Sequence, residues 1–242
     1  MQKSLPYQTK LCFYNVDNSV RYRGNRIKMD KLFKALSLSL LFISPAMAEN
    51  KPLILYFSQP QTVDKDNNPV KAETIDAHSG ASMILKNNAL LGSNEYLATL
   101  IQAHTQGDLV RIETVEPYST DHKTLLDQGQ EEQRKNHKPM LKTQIDVSGY
   151  DTVFVSYPIW WYKLPMAMQR FFEEQDFSGK RLILVAGHGA SRFSGTTQVI
   201  QKLQPKATVI EGFEQNMWDL TQADDKLEQR LSERLIELGF AK

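Results

Sequence analysis

Four short stretches carry the residues that could do chemistry. Ser58 closes the apolar run Pro52–Ser58, and Gly92-Ser93-Asn94 stands just before an amphipathic stretch that begins at Glu95. Small hydroxyl and amide residues where a helix starts, among backbone N–H groups with no partner inside the helix, make a ready cradle for a phosphate. The third stretch is Pro158-Ile159-Trp160-Trp161-Tyr162, placed where a solvent-facing loop would carry Gly, Asn, Asp or Ser. A row of rings there has to cover something. The fourth runs Gly187-His188-Gly189-Ala190-Ser191-Arg192-Phe193-Ser194-Gly195. An aromatic loop and a glycine-rich loop side by side would flank a flat ring. Taken alone, Trp160 and Trp161 could equally be core or interface rings, and His188 a hydrogen-bonded structural histidine or a reacting group.

Other chemistries find no support. His78, His104, His122 and His137 lie at unrelated spacings and form no metal constellation. Gly189-Ala190-Ser191 is not the Gly-x-Ser-x-Gly of a nucleophile elbow. The charge run Asp224–Arg234 reads as the solvated face of a terminal helix. No basic stripe interleaved with aromatics argues for nucleic acid.

The elements that must position these stretches follow from periodicity. Pro52–Ser58 is a continuous apolar run of the kind found in strands covered on both faces. Runs from Asp108, Asp151 and Arg181 resemble it, with a weaker fifth at Ala207–Phe213. Between them lie amphipathic stretches at Glu95–Ala103, Asp121–Lys135, Pro165–Gln175 and Gly195–Leu203, with a last one at Leu220–Leu238. Strand alternating with helix predicts an α/β domain with a parallel sheet, and in such sheets ligands sit outside the carboxyl ends of the strands. All four stretches fall at such ends. The pattern is broken once, by a polar insertion over residues 59–91, whose last part, Ser82–Gly92, is expected to form a hairpin turning at Asn87-Asn88.

The amino-terminal end reads differently. Lys31 and Lys34 precede an apolar run, Leu36–Ile43, and Ser44-Pro45-Ala46-Met47-Ala48 offers a small-x-small cleavage site. Residues 29–48 are expected to be a secretory signal peptide without a twin arginine, residues 1–28 an amino-terminal extension, and residues 49–242 one exported, periplasmic domain with no membrane span after processing. Met1–Ala48 holds 8 basic and 2 acidic residues of the chain's 29 and 28, which leaves 21 and 26 and a formal charge of −5 for the remainder. Cys12, the single cysteine, also falls in the leader, so the exported part has no disulfide and no thiolate nucleophile.

Together LILYFS, GSNEYLATLI, YDTVFVSYPIWW, LPM, DFSGK and HGASRFSGT resemble the flavodoxin-like family, especially its exported or single-domain bacterial branch with a Trp-Trp pair after the third strand. The resemblance covers about Pro52–Phe213 apart from the insertion. It implies a flavodoxin-like three-layer sandwich, a five-stranded parallel sheet of order 2-1-3-4-5, and FMN bound without a covalent link. By that resemblance Ser58, Gly92, Ser93 and Asn94 match the phosphate loop, and Pro158, Ile159, Trp160 and Trp161 match one ring-contacting loop. Gly187, His188, Gly189, Arg192, Ser194 and Gly195 match the other, with Arg192 expected at the pyrimidine edge of the flavin or in solvent. There are departures. Relatives often read Gly-Asn-Thr where this chain has Gly92-Ser93-Asn94, glycine where it has Tyr162, and glycines at Ala190 and Arg192.

Single-electron members of such a family use a backbone carbonyl that swings toward the flavin, a movement glycine makes easy. No glycine lies between Tyr157 and Pro165. The expectation is therefore an NAD(P)H-dependent FMN oxidoreductase that reduces a quinone or a similar acceptor. One-electron carriage to a redox partner protein, and a flavin-free binding module on the same fold, stay open.

Overall fold

The computed structural model describes residues 19–22, 25–28, 51–59, 83–86, 89–119, 121–221 and 224–240. The chain divides into two compact units, Met1–Glu49 and Asn50–Lys242. In the first, β1 (Ser19–Tyr22) and β2 (Asn25–Lys28) form an antiparallel hairpin, with Ser19 opposite Lys28 and Tyr22 opposite Asn25. The expected signal segment, 29–48, lies outside the described residues.

The second unit is built on a parallel sheet of β3 (Leu53–Tyr56), β6 (Asp108–Arg111), β7 (Thr152–Pro158), β8 (Arg181–His188) and β9 (Thr208–Asn216). The strands lie side by side as β6-β3-β7-β8-β9, which is the expected order 2-1-3-4-5 when only the strands of this sheet are counted. Side chains on a strand alternate between faces, and the sequence uses both. Leu53, Leu55, Val153, Val155, Leu182 and Leu184 point into one core, while Ile54, Phe154, Ile183 and Val185 point into the other. Helices α3 (Met166–Glu174) and α4 (Thr196–Leu203) close the first core with Met168, Phe171, Phe172 and Ile200. Helices α1 (Ser93–Thr105) and α5 (Asp224–Glu237) close the second with Leu97, Ile101, Leu227, Leu231 and Leu235. This double covering is why the strands read as unbroken apolar runs rather than alternating ones.

The expected hairpin is present as β4 (Met83–Lys86) and β5 (Ala89–Gly92), antiparallel, with Lys86 opposite Ala89. It delivers the chain directly into α1. The last strand differs from expectation, running on past Phe213 to Asn216. Register shifts by one residue between Leu184, opposite Glu211, and Val185, opposite Phe213, so Gly212 is the extra residue of a bulge. A β-carbon there would lie 2.3 Å from Ile183 Cγ2, so only glycine passes. The bulge exchanges the faces of the strand: Val209 packs on the first core and Phe213 on the second. A short 3₁₀ helix, Met217–Thr221, follows.

Strand β6 is also shorter than expected, ending at Arg111 because its neighbour β3 offers only four paired residues. The remaining helix, α2 (His122–Lys135), is capped by Asp121, whose side chain accepts from the Thr124 N–H at 2.8 Å.

Candidate functional site

Strand order reverses at β3, and a cavity of about 420 Å³ opens at the carboxyl ends of the strands there. One end is polar. Ser93 and Asn94, both buried, form the first turn of α1 and line the wall with Gln59. The Ser156 hydroxyl of β7 donates to the Asn94 carbonyl at 3.0 Å, which ties that turn to the sheet. At this end the Ser58 hydroxyl and Gln59 Oε1 are buried without a hydrogen-bond partner among the described residues. Buried polar atoms are nearly always paired; the Ser58 hydroxyl can donate to an anionic ligand at the helix amino terminus, whereas Gln59 Oε1 is an acceptor and calls for a donor.

The turn is braced from behind. Arg111 Nη2 donates to the Ser58 carbonyl at 3.3 Å, and its Nη1 stands 3.8 Å from Glu95 Oε1. Glu95 in turn accepts from the Gly92 N–H at 3.1 Å and from the Tyr56 hydroxyl at 3.2 Å. Burial, and after it the Glu95 charge, pushes the Tyr56 hydroxyl up to about 12. Arg111 is thus the cation that lets a carboxylate sit beside a site suited to an anion.

The other end of the cavity is aromatic. Pro158 ends β7, and the Ile159 N–H donates to the Gly187 carbonyl at 2.8 Å, holding the two loops together. Trp160 and Lys163 then exchange backbone hydrogen bonds at 3.1 and 2.9 Å, which makes Trp161 and Tyr162 the centre of a two-residue turn. Both have positive φ, 50° and 60°, the backbone of a type I′ turn that normally takes Asn-Gly. Rings held there are strained, and the surroundings hold them. Gln133 of α2 donates to the Trp160 carbonyl at 2.9 Å, the Trp161 indole donates to the Leu126 carbonyl at 3.1 Å, and Ser194 donates to the Tyr162 carbonyl at 3.0 Å. Trp160 meets Tyr118 and Phe57 edge-on, at ring-centre distances of 5.1 and 5.6 Å, and also lines the cavity. It is a core ring and a wall ring at once. Trp161 and Tyr162 stand at the rim, 43% and 74% exposed.

The glycine-rich loop completes the wall with Gly187, His188, Gly189, Ala190 and Ser191. His188 is only 4% exposed: its Nδ1 accepts from the Ala190 N–H at 3.0 Å, so Nε2 carries the proton and donates to Glu214 Oε2. That is the geometry of a structural histidine. Ala190 and Arg192 have φ of 103° and 50°, so the two positions where relatives often carry glycine are left-handed here as well. The Arg192 side chain is 80% exposed, with Nε 3.9 Å from Glu214 Oε1.

The sequence-predicted residues divide accordingly. Ser93, Asn94, Pro158, Ile159, Trp160, Trp161, Gly187, His188 and Gly189 come together on the cavity, whereas Ser58, Gly92, Arg192, Ser194 and Gly195 stand behind or beside its wall. Several wall residues escaped the sequence reading. Gln59 is the first residue of the insertion; His122, Leu125, Leu126 and Gly129 belong to α2, which its sequence marks only as an amphipathic helix. Met217 and Trp218 follow the fifth strand, whose carboxyl end, like that of the second, carries none of the four stretches, and the rule that ligands sit at strand ends points to them. Among the described residues no group of His, Cys, Asp and Glu could hold a metal, and no helix is long and apolar enough to cross a membrane.

Comparison with known proteins agrees with this architecture. The chain covers 78% of its own length and 98% of a candidate flavoprotein from Bacteroides eggerthii, at 23% identity and a TM-score of 0.55. A second, from Bacteroides uniformis, aligns over 76% and 98% at 20% identity and a TM-score of 0.53. A flavoprotein in complex with FMN from Lactobacillus acidophilus aligns over 71% and 96%, at 14% identity and a TM-score of 0.47. No curated protein matches the chain in sequence. The sequence model of the family described as flavodoxin matches residues 87–232, which take in β5 and run into α5, and the chain belongs to that family.

Proposed function

We propose that the cavity binds FMN. The observation that supports this most is the polarity of one continuous cavity: a buried Ser58 hydroxyl without a partner among the described residues beside a helix amino terminus at one end, and all three tryptophans of the chain, Trp160, Trp161 and Trp218, around the other. Ser58, Gln59, Ser93 and Asn94 would hold the phosphate, and Pro158–Trp161 with Gly187–Gly189 the isoalloxazine. FMN, when bound, supplies reversible one- or two-electron redox chemistry. The chain's residues bind it, orient it and exclude water from one side. Titration of the full chain with FMN should quench most of its tryptophan emission at a stoichiometry of one; a chain that neither retains nor binds FMN would overturn the reading and leave a flavin-free binding module.

Two-electron reduction of a flat apolar acceptor such as a quinone, with a nicotinamide donor, is the reading we favour over electron carriage. Its support is the tethering of the aromatic turn. The Trp160 carbonyl is held by Gln133 and the Lys163 N–H, and the Tyr162 carbonyl by Ser194, so a peptide that swings toward the ring would first break these bonds. Anaerobic NAD(P)H oxidation coupled to quinone loss tests it. Reduction in two separate one-electron steps, with no nicotinamide oxidation, would favour the carrier.

The place of action is proposed on sequence alone: residues 29–48 direct secretion through the unfolded route, with FMN captured outside the cytoplasm. Sequencing the amino terminus of protein from the periplasmic fraction should give Glu49 first.

A further inference from the structure

We infer that Trp218 is a ring-contacting residue of this site, so that the fifth strand supplies a third wall that the two expected loops leave open. The inference rests on the FMN reading and adds a residue to it.

Two glycines carry the argument. A β-carbon on Gly187 would lie 1.7 Å from Met217 Cε and 2.7 Å from Asn94 Oδ1, and one on Gly189 would lie 3.2 Å from the Trp218 indole nitrogen. The space these glycines leave is therefore used by the segment after β9, which leans over the β8 loop. Glycine in a ring-binding loop is usually explained by close approach of the ligand. Here the close approach is made by the protein's own Met217 and Trp218.

The segment is firmly held. Met217 and Leu220 are buried in the second core, and the Trp218 N–H donates to Asn216 Oδ1 at 3.1 Å. Between two anchored neighbours, Trp218 is turned outward and is 63% exposed on the cavity wall. Sheet order sets its relation to the other rings: β7 and β9 are the two neighbours of β8, so the Trp160-Trp161 turn and Trp218 flank the glycine-rich loop from opposite sides. A flat conjugated ring bound over that loop would meet indoles from both. Stacking on an aromatic side chain is tolerant of the ring's identity and strong enough to be read in an affinity.

The test uses the full chain and its Trp218→Ala and Trp218→Phe variants, titrated with FMN while tryptophan and flavin emission are followed. Trp218→Ala should weaken FMN about tenfold, the equivalent of one lost ring stack, and leave the bound flavin brighter. Trp218→Phe should stay within about threefold of the parent, because a ring is kept. Unfolding midpoints measured without ligand should shift little, since the side chain is mostly exposed, and an affinity loss much larger than the stability change separates a contact with the ligand from a role in the fold. If the parent binds FMN and Trp218→Ala binds it within about twofold with unchanged flavin emission, the inference falls while the FMN reading stands. A parent that fails to bind FMN removes both.

Discussion

Ser58 shows how a single atom can be costly in one state and useful in another. Its hydroxyl is buried without a partner among the described residues, and an unsatisfied buried polar group costs about 1–3 kcal/mol. Ser58→Ala should therefore raise the stability of the ligand-free protein by about 1 kcal/mol, seen as a higher urea midpoint with unchanged slope. The same change should weaken FMN about tenfold and leave riboflavin, which has no phosphate, untouched. Calorimetric titration with both ligands separates the outcomes: equal loss for the two would place the hydroxyl away from the phosphate. Arg111 adds a second check on that end of the site. Arg111→Met removes the donor to the Ser58 carbonyl and the cation beside Glu95, so FMN affinity should fall by a larger factor than riboflavin affinity.

At the scale of elements, the aromatic turn is the part of the fold that works against local preference. A bulky residue in the left-handed region costs about 1–2 kcal/mol, and Trp161 and Tyr162 both sit there. Tyr162 is mostly in solvent, so Tyr162→Gly should relieve strain and stabilise the protein by about 1 kcal/mol in chemical denaturation, at the expense of the aromatic rim of the cavity. A loss of stability instead would mean that the ring makes contacts worth more than its strain. This turn also marks how much the sequence disclosed. The strands, the helices and the two loops were legible because burial on both faces leaves apolar runs and because strand ends carry ligand loops. Tyr162 was visible as a departure from glycine, but that the backbone keeps the glycine conformation is decided by Gln133, Leu126 and Ser194, which lie 29, 36 and 32 residues away from Tyr162 along the chain. The contribution of α2 was hidden for the same reason. Its pattern gives an amphipathic helix, and nothing in that pattern says that Gly129 will lie 3.1 Å, counted from a β-carbon there, from the Trp160 ring. Met217 and Trp218 were within reach of the strand-end rule, but the faces of the fifth strand were not, because the Gly212 bulge is a register shift that alternation of apolar and polar residues does not encode.

Across the whole molecule, the cavity joins elements from both cores, since β3, β7, β8 and the segment after β9 meet α1 and α2 around it. FMN at a hundred times its dissociation constant should therefore stabilise the fold globally, by about 2.7 kcal/mol, rather than order one loop. A pH effect on the same global stability comes from Glu132. It accepts from the Tyr118 hydroxyl at 2.9 Å, and Tyr118 packs against Trp160. Burial raises the Glu132 carboxyl from an ordinary 4.5 to about 7, and the Tyr118 hydrogen bond offsets only part of this. The sign follows from comparing the two states. Below about pH 4.5 the group is protonated whether folded or unfolded, and ionisation costs nothing. As pH rises toward 7 the unfolded chain releases the proton while the folded chain resists, so stability falls through that window and then levels off. Glu132→Gln keeps an acceptor for Tyr118 and removes the charge. The variant should match the parent at pH 4.5 and exceed it by about 1–2 kcal/mol at pH 8, a figure reduced from the full shift because water reaches part of the side chain. Denaturation midpoints across that range, followed by tryptophan emission, would measure the difference. Parallel curves for parent and variant would show that the carboxylate is solvated and that the Tyr118–Trp160 packing does not feel its charge.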